Sequence, residues 1–119
     1  MTAPDDAVHP ALQLDDAVHP ALQLDDAVHQ KTRLALLTVL DEAERADFPY
    51  LKRTLALTDG NLGRHLDVLA GQGLVQITKG YEGRRPRTWV AITPEGRQAL
   101  AAEMRVLATL LRRFHDNGS

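Results

Sequence analysis

The chain has 119 residues, the size of a single domain, with 44% apolar residues, few aromatics and a formal net charge of −2. It contains no cysteine, which excludes disulfides, thiolate metal sites and a cysteine nucleophile, and fits a cytoplasmic protein. No apolar run approaches the roughly 20 residues that cross a membrane, and the acidic first residues do not have the basic-then-apolar pattern of a secretory signal. The charge is unevenly spread. Residues 1–47 carry three basic side chains against ten acidic ones, residues 48–97 carry eight against four, and residues 98–119 three against two. A local basic surface decides nucleic-acid affinity, so the slightly acidic total does not argue against it.

Residues 5–14 read DDAVHPALQL, residues 15–24 repeat them unchanged, and a partial third copy runs from Asp25 to His29. Ten residues are too few for a solenoid repeat. Pro10 and Pro20 interrupt a helix in the first two copies, whereas Gln30 replaces the proline in the third and lets a helix continue. Residues 1–24 are therefore expected to be an arm, either mobile or in contact with a second subunit, with the ordered domain starting near Asp25. His9, His19 and His29 recur because the decamer recurs, and no metal site is expected from them.

Good helix formers around Leu34–Leu40 predict a buried helix over 30–43, followed by a charged turn over 41–47. Asp47 is suited to cap a second helix with Pro49 in its first turn and Leu51 and Leu55 on one face. After a break at Leu57–Gly60, Thr58 is a natural N-cap for a third helix reaching about Gln72. Leu62, Leu66 and Leu69 lie on one side of it; Asn61, Arg64 and Val68 lie opposite, with His65 at the flank. Alternating runs at 74–79 and 87–93 predict two strands joined by GYEGRRP, a hairpin with a basic tip. Thr93 and Pro94 then open a last helix. Its apolar residues Leu100, Met104, Leu107, Leu111 and Phe114 step by four, three, four and three, a heptad-type seam that either packs within the chain or joins two subunits.

Helix, helix, turn, helix, basic hairpin and long helix is the order expected of a helix-turn-helix fold with a hairpin. The second helix of such a motif enters the DNA major groove with its N-terminal residues at base edges. Arg64 and Asn61 suit that position, because arginine bonds bidentately to guanine and asparagine to adenine. Thr58 and the free amides of the helix start suit a phosphate. The hairpin brings Arg84, Arg85 and Arg87 to the backbone or the minor groove. Taken singly, each element also reads as an ordinary solvated surface; the combination favours DNA. Enzyme chemistry finds no support: there is no metal-ligand cluster and no nucleophile with a base, and GYEGRRP lacks the Lys-Ser/Thr ending of a phosphate loop. No catalytic residue, metal or cofactor is expected. The competing reading is a module that binds an acidic protein partner.

From about residue 25 to 113 the sequence resembles bacterial winged-helix regulators of the MarR and ArsR type. The likeness lies in Leu57-Thr58-Asp59-Gly60-Asn61-Leu62, His65-Leu66, Lys79, Gly83-Arg84-Arg85-Pro86-Arg87-Thr88 and Thr93-Pro94-Glu95-Gly96-Arg97. It implies a mainly helical winged helix-turn-helix over 25–93 and a C-terminal dimerisation helix over 94–119. A recognition helix would start near Thr58, with His65 beside Asn61 and Arg64, and a wing would carry Lys79 and Arg84 to Arg87. It also implies a homodimer on a palindromic operator, usually a repressor, and leaves any small-molecule effector unidentified. Gly63 departs from the pattern, standing where such proteins often have serine.

Overall fold

The computed structural model describes residues 19–118, so most of the expected arm lies outside the described residues. One compact unit runs from Asp25 to Glu103; the other is formed from the two ends of the chain. The first unit begins with a single helical turn, α1 (Asp26–His29), capped by the Asp25 carboxylate. Helix α2 (Lys31–Ala43) follows directly. Here Gln30 acts as the cap, its Oε1 accepting from the Thr32 and Arg33 amides at 2.9 and 3.1 Å. Leu36, Leu37 and Leu40 of α2 are fully buried and form the centre of the core.

Strand β1 (Arg45–Asp47) lies where a charged turn was expected. Three residues are too short to show an alternation, yet Ala46 is buried and pairs with Val90 on the neighbouring strand. Asp47 then caps helix α3 (Phe48–Leu55) through the Tyr50 amide at 2.9 Å, with Pro49 in the first turn. Ala56, in the left-handed region, ends it. Thr58 caps helix α4 (Asp59–Gly71), its Oγ1 accepting from the Asn61 amide at 3.1 Å. Leu62, Leu66 and Leu69 of α4 join Leu51 of α3 in the core.

Strands β2 (Val75–Glu82) and β3 (Arg85–Ile92) are longer than the alternation suggested, and the sheet order is β1-β3-β2, all antiparallel. Register pairs Lys79 with Thr88 and Glu82 with Arg85, which leaves only Gly83 and Arg84 as the turn. The strands persist through Gly80 and Pro86 because this end of the hairpin is exposed, where a proline costs no buried ladder bond. Gly83 has φ +64° and Arg84 does not have positive φ; positive φ at the first turn position alone is the pattern of a tight two-residue hairpin that favours glycine there.

Thr93 closes the sheet and opens helix α5 (Pro94–Gly118): its Oγ1 accepts from the Gly96 amide at 2.9 Å and donates to the Gly73 carbonyl at 2.7 Å. Gly96 is required by close approach, since a Cβ there would stand 2.1 Å from the Leu74 carbonyl oxygen. The start of α5 belongs to the first unit. Leu100 is 7% exposed within the same core as Leu36 and Val90, which corrects its assignment to a dimerisation seam: the residue is already used. The expected boundary at residue 94 moves accordingly to Glu103. In the other unit, Pro20–Gln23 form one 3-10 turn capped by His19, whose Nδ1 accepts from the Ala21 amide. The part of α5 from Met104 onward leaves Met104, Leu111 and Phe114 exposed, Phe114 at 71%. Among the described residues no helix is long and apolar enough to cross a membrane.

Candidate nucleic-acid interface

Helix α4 presents two unlike faces because its leucines recur at i, i+4 and i+7. With that side in the core, Asn61, Arg64 and Val68 are exposed. Asn61 and Arg64 are one turn apart and bond to each other, Arg64 Nη2 donating to Asn61 Oδ1 at 2.5 Å. This contact uses one of five guanidinium donors and one amide oxygen. The Asn61 amide N–H groups and the rest of the guanidinium still point away from the core. Thr58 at the helix start is exposed, while its hydroxyl oxygen is engaged by the Asn61 amide. Asp59 forms an ion pair with Lys52 at 2.7 Å, which ties the start of α4 to α3.

His65 differs from its neighbours. It is half-buried, and its Nδ1 lies 3.3 Å from Nη1 of Arg33 on α2. Burial first, then the charges of Arg33 and Arg64, hold the imidazole below its ordinary value. A neutral ring is therefore favoured, and in that state Nδ1 accepts from the guanidinium. The structure thus uses His65 as a brace between α2 and α4, in contrast to the exposed Asn61 and Arg64.

The hairpin places Lys79, Arg84 and Arg85 in solvent, with no ion pair among the described residues. Arg87, expected beside them as a DNA contact of the wing, is different. It is paired with Asp47 and with Glu82, and its side chain is only 27% exposed. Asp47 is bifunctional, with Oδ1 capping α3 and Oδ2 accepting from Arg87. One carboxylate thereby fastens the hairpin to the helix-turn-helix. Trp89, two residues on, lies on the same strand with the Arg45 guanidinium 4.2 Å from its ring centroid and that of Arg87 at 5.8 Å, both within cation–π range.

Between α3, α4 and the hairpin lies a groove of about 770 Å³. Its walls include Pro49 and Arg53 of α3, Gly63 and Asp67 of α4, and Lys79 and Arg85 of the hairpin. Pattern reading singled out Asp47 only as a helix cap, and did not single out Arg53 or the exposed Tyr50 and Tyr81. The Asp47–Arg87 link joins residues 40 apart, which no local periodicity reveals; Arg53 was discernible only as a polar residue on a helix with one leucine face. Among the described residues no cluster of three metal-ligating side chains occurs.

A three-helix core, a three-stranded sheet ending in a basic hairpin, and a polar helix face next to that hairpin define a winged helix-turn-helix protein. The Winged helix DNA-binding domain family matches residues 32–111, and the chain belongs to that family. An uncharacterized protein of Methanocaldococcus jannaschii is 42% identical over 67 residues, covering 56% of this chain and 73% of that protein. The structure of a transcriptional regulator homologue from Pyrococcus horikoshii is similar, with a TM-score of 0.77 and 27% identity over 82% of this chain and 98% of that one. A transcriptional regulator of M. tuberculosis solved in complex with DNA shares the fold, with a TM-score of 0.61 and 23% identity over 92% of this chain and 75% of that chain.

Proposed function

We propose that this chain is a transcriptional regulator that binds double-stranded DNA sequence-specifically as a homodimer and represses. The observation that carries the reading is helix α4, which exposes Asn61 and Arg64 while its Gly63 and Asp67 share one groove with Lys79 and Arg85 of the basic hairpin. In the bound state Asn61 and Arg64 exchange their mutual bond for base edges in the major groove, and the helix start at Thr58 receives a phosphate. Arg53, Lys79, Arg84 and Arg85 take the flanking backbone or the adjacent minor groove, while Arg87 and His65 hold the hairpin and α4 in position. A protein of the same fold solved in complex with DNA supports DNA as the partner.

Dimerisation is assigned to the outer part of α5, where Met104, Leu107, Leu111 and Phe114 continue the heptad spacing after Leu100 has been used by the core. Met104, Leu111 and Phe114 are exposed and Leu107 is half-buried, and apolar side chains at that spacing match a two-helix seam. A symmetric dimer reads half-sites about one helical turn apart, roughly 34 Å, hence a palindromic operator.

Fluorescence anisotropy with a duplex from the gene's own upstream region, against a random duplex, tests the reading. Specific binding is expected to exceed random binding at least about a thousandfold at physiological salt. Equal affinity for both duplexes would refute sequence-specific recognition, and no affinity for either would favour a protein partner for this face.

A further inference from the structure

A buried carboxylate on α5 grips a segment that the chain carries three times. The Glu103 side chain is 1% exposed, and both its oxygens are spent on the third copy of the repeat. Oε1 accepts from the Asp25 amide at 3.0 Å, and Oε2 lies 2.8 Å from Nδ1 of His29. Arg33 holds two carbonyls of the same segment, Nε to Ala27 at 2.6 Å and Nη2 to Asp26 at 3.3 Å. Val28 between them is fully buried in the core. A carboxylate is stable in such a place only when paired and hydrogen-bonded. The seat therefore demands a free amide, a valine three residues on and an imidazole four residues on.

All of these demands are met inside the pentapeptide DDAVH, which stands unchanged at residues 5–9 and 15–19. The next residue is Gln30 in the seated copy and Pro20 in the copy before it. Helix α1 ends at His29, and helices commonly end at the residue before a proline, so in an exchange Pro20 leads from the end of the seated turn into the loop while Gln30 keeps its own place. The task of Gln30, capping α2 through Thr32 and Arg33, survives an exchange because Gln30 stays joined to α2.

We propose that Glu103, Arg33 and the core position of Val28 form a binding site for the DDAVH pentapeptide, and that Asp15–His19 is an interchangeable occupant. Seating it slips the arm by ten residues and turns residues 20–29 into a loop between His19 and Gln30. The cost of closing a loop grows only slowly with its length, and each direct contact has an identical counterpart. The same folded domain then carries either 24 or 14 residues ahead of the seat.

Thermal unfolding of four full-length chains tests this: wild type, Val28→Asp, the pair Val8→Asp/Val18→Asp, and the triple variant. A carboxylate at position 28 expels the third copy from the core, and the pair disables both spare copies. The pair is expected to shift the wild-type midpoint by less than about 1 °C but to lower that of Val28→Asp by about 4 °C or more. An equal effect of the pair in both backgrounds would overturn the proposal. Failure of Val28→Asp to fold at all would overturn it too, because a spare copy would then have been available and unused.

Discussion

Replacing Asp47 separates two jobs that one side chain performs. Asp47→Ala removes the cap on the Tyr50 amide, worth about 1 kcal/mol. It also removes the Arg87 partner, at a site where the two side chains are 15% and 27% exposed. A partly shielded pair of this kind contributes about 1 kcal/mol, near the top of the range for accessible ion pairs. Glu82 still accepts from Arg87, so the arginine is not left unpaired. The sum of about 2 kcal/mol lowers the unfolding midpoint by about 8 °C or more for a domain of this size. Asp47→Asn keeps the cap, since asparagine caps as well as aspartate, and is expected to lose only about half as much. Arg87→Ala combined with Asp47→Asn should cost little more than Arg87→Ala alone, because the contact that Asp47→Asn weakens is already gone. Urea unfolding monitored by Trp89 fluorescence provides the free energies. Full additivity of the two changes, or an Asp47→Asn variant as unstable as Asp47→Ala, would refute the view that this carboxylate fastens the hairpin.

Arg64→Ala should reduce discrimination between operator and random duplex by about 1–3 kcal/mol, whereas Arg85→Ala should weaken binding to both and reduce the salt slope by about one unit; anisotropy titrations at several salt concentrations distinguish the two patterns. Gly63→Ala meets nothing within 4 Å and should raise stability by about 0.8 kcal/mol through helix propensity, read as a higher midpoint in urea, while Gly96→Ala should destabilise the domain severely because its Cβ would strike the Leu74 carbonyl. The lowered His65 pKa means that the unfolded chain takes up a proton before the folded one does. Its contribution to stability is thus complete above the ordinary histidine value near 6.5 and is lost as pH falls toward the folded value; the slope of stability against pH below 6.5 should be shallower in His65→Gln. Finally, Leu111→Glu with Phe114→Glu should leave the far-ultraviolet dichroism unchanged and shift the chain to monomer in analytical ultracentrifugation.

Much of this architecture could be read from local signals. The caps at Asp47 and Thr58, the leucine face of α4 and the alternation of β2 and β3 each depend on residues a few positions apart, and each was legible. Features made by distant residues were not. Strand β1 is three residues long and exists because Arg45–Asp47 find Trp89–Ala91. Leu100 follows the heptad spacing and so looks like part of the seam, but burial is decided by the core it meets and not by its period. Arg87 looks like its neighbours Arg84 and Arg85 in a basic run, and only folding shows that a carboxylate 40 residues away claims it. In the same way His65 shares a helix with Asn61 and Arg64, yet Arg33 draws it into a brace.

Titrating the ¹⁵N-labelled protein with its upstream duplex and following amide shifts tests the placement of the interface most directly. The largest changes are expected at Thr58 to Val68 and at Lys79 to Arg85, with little at Asp41 to Glu44. Changes confined to α5, with the α4 amides unmoved, would contradict recognition through that helix and its neighbouring hairpin.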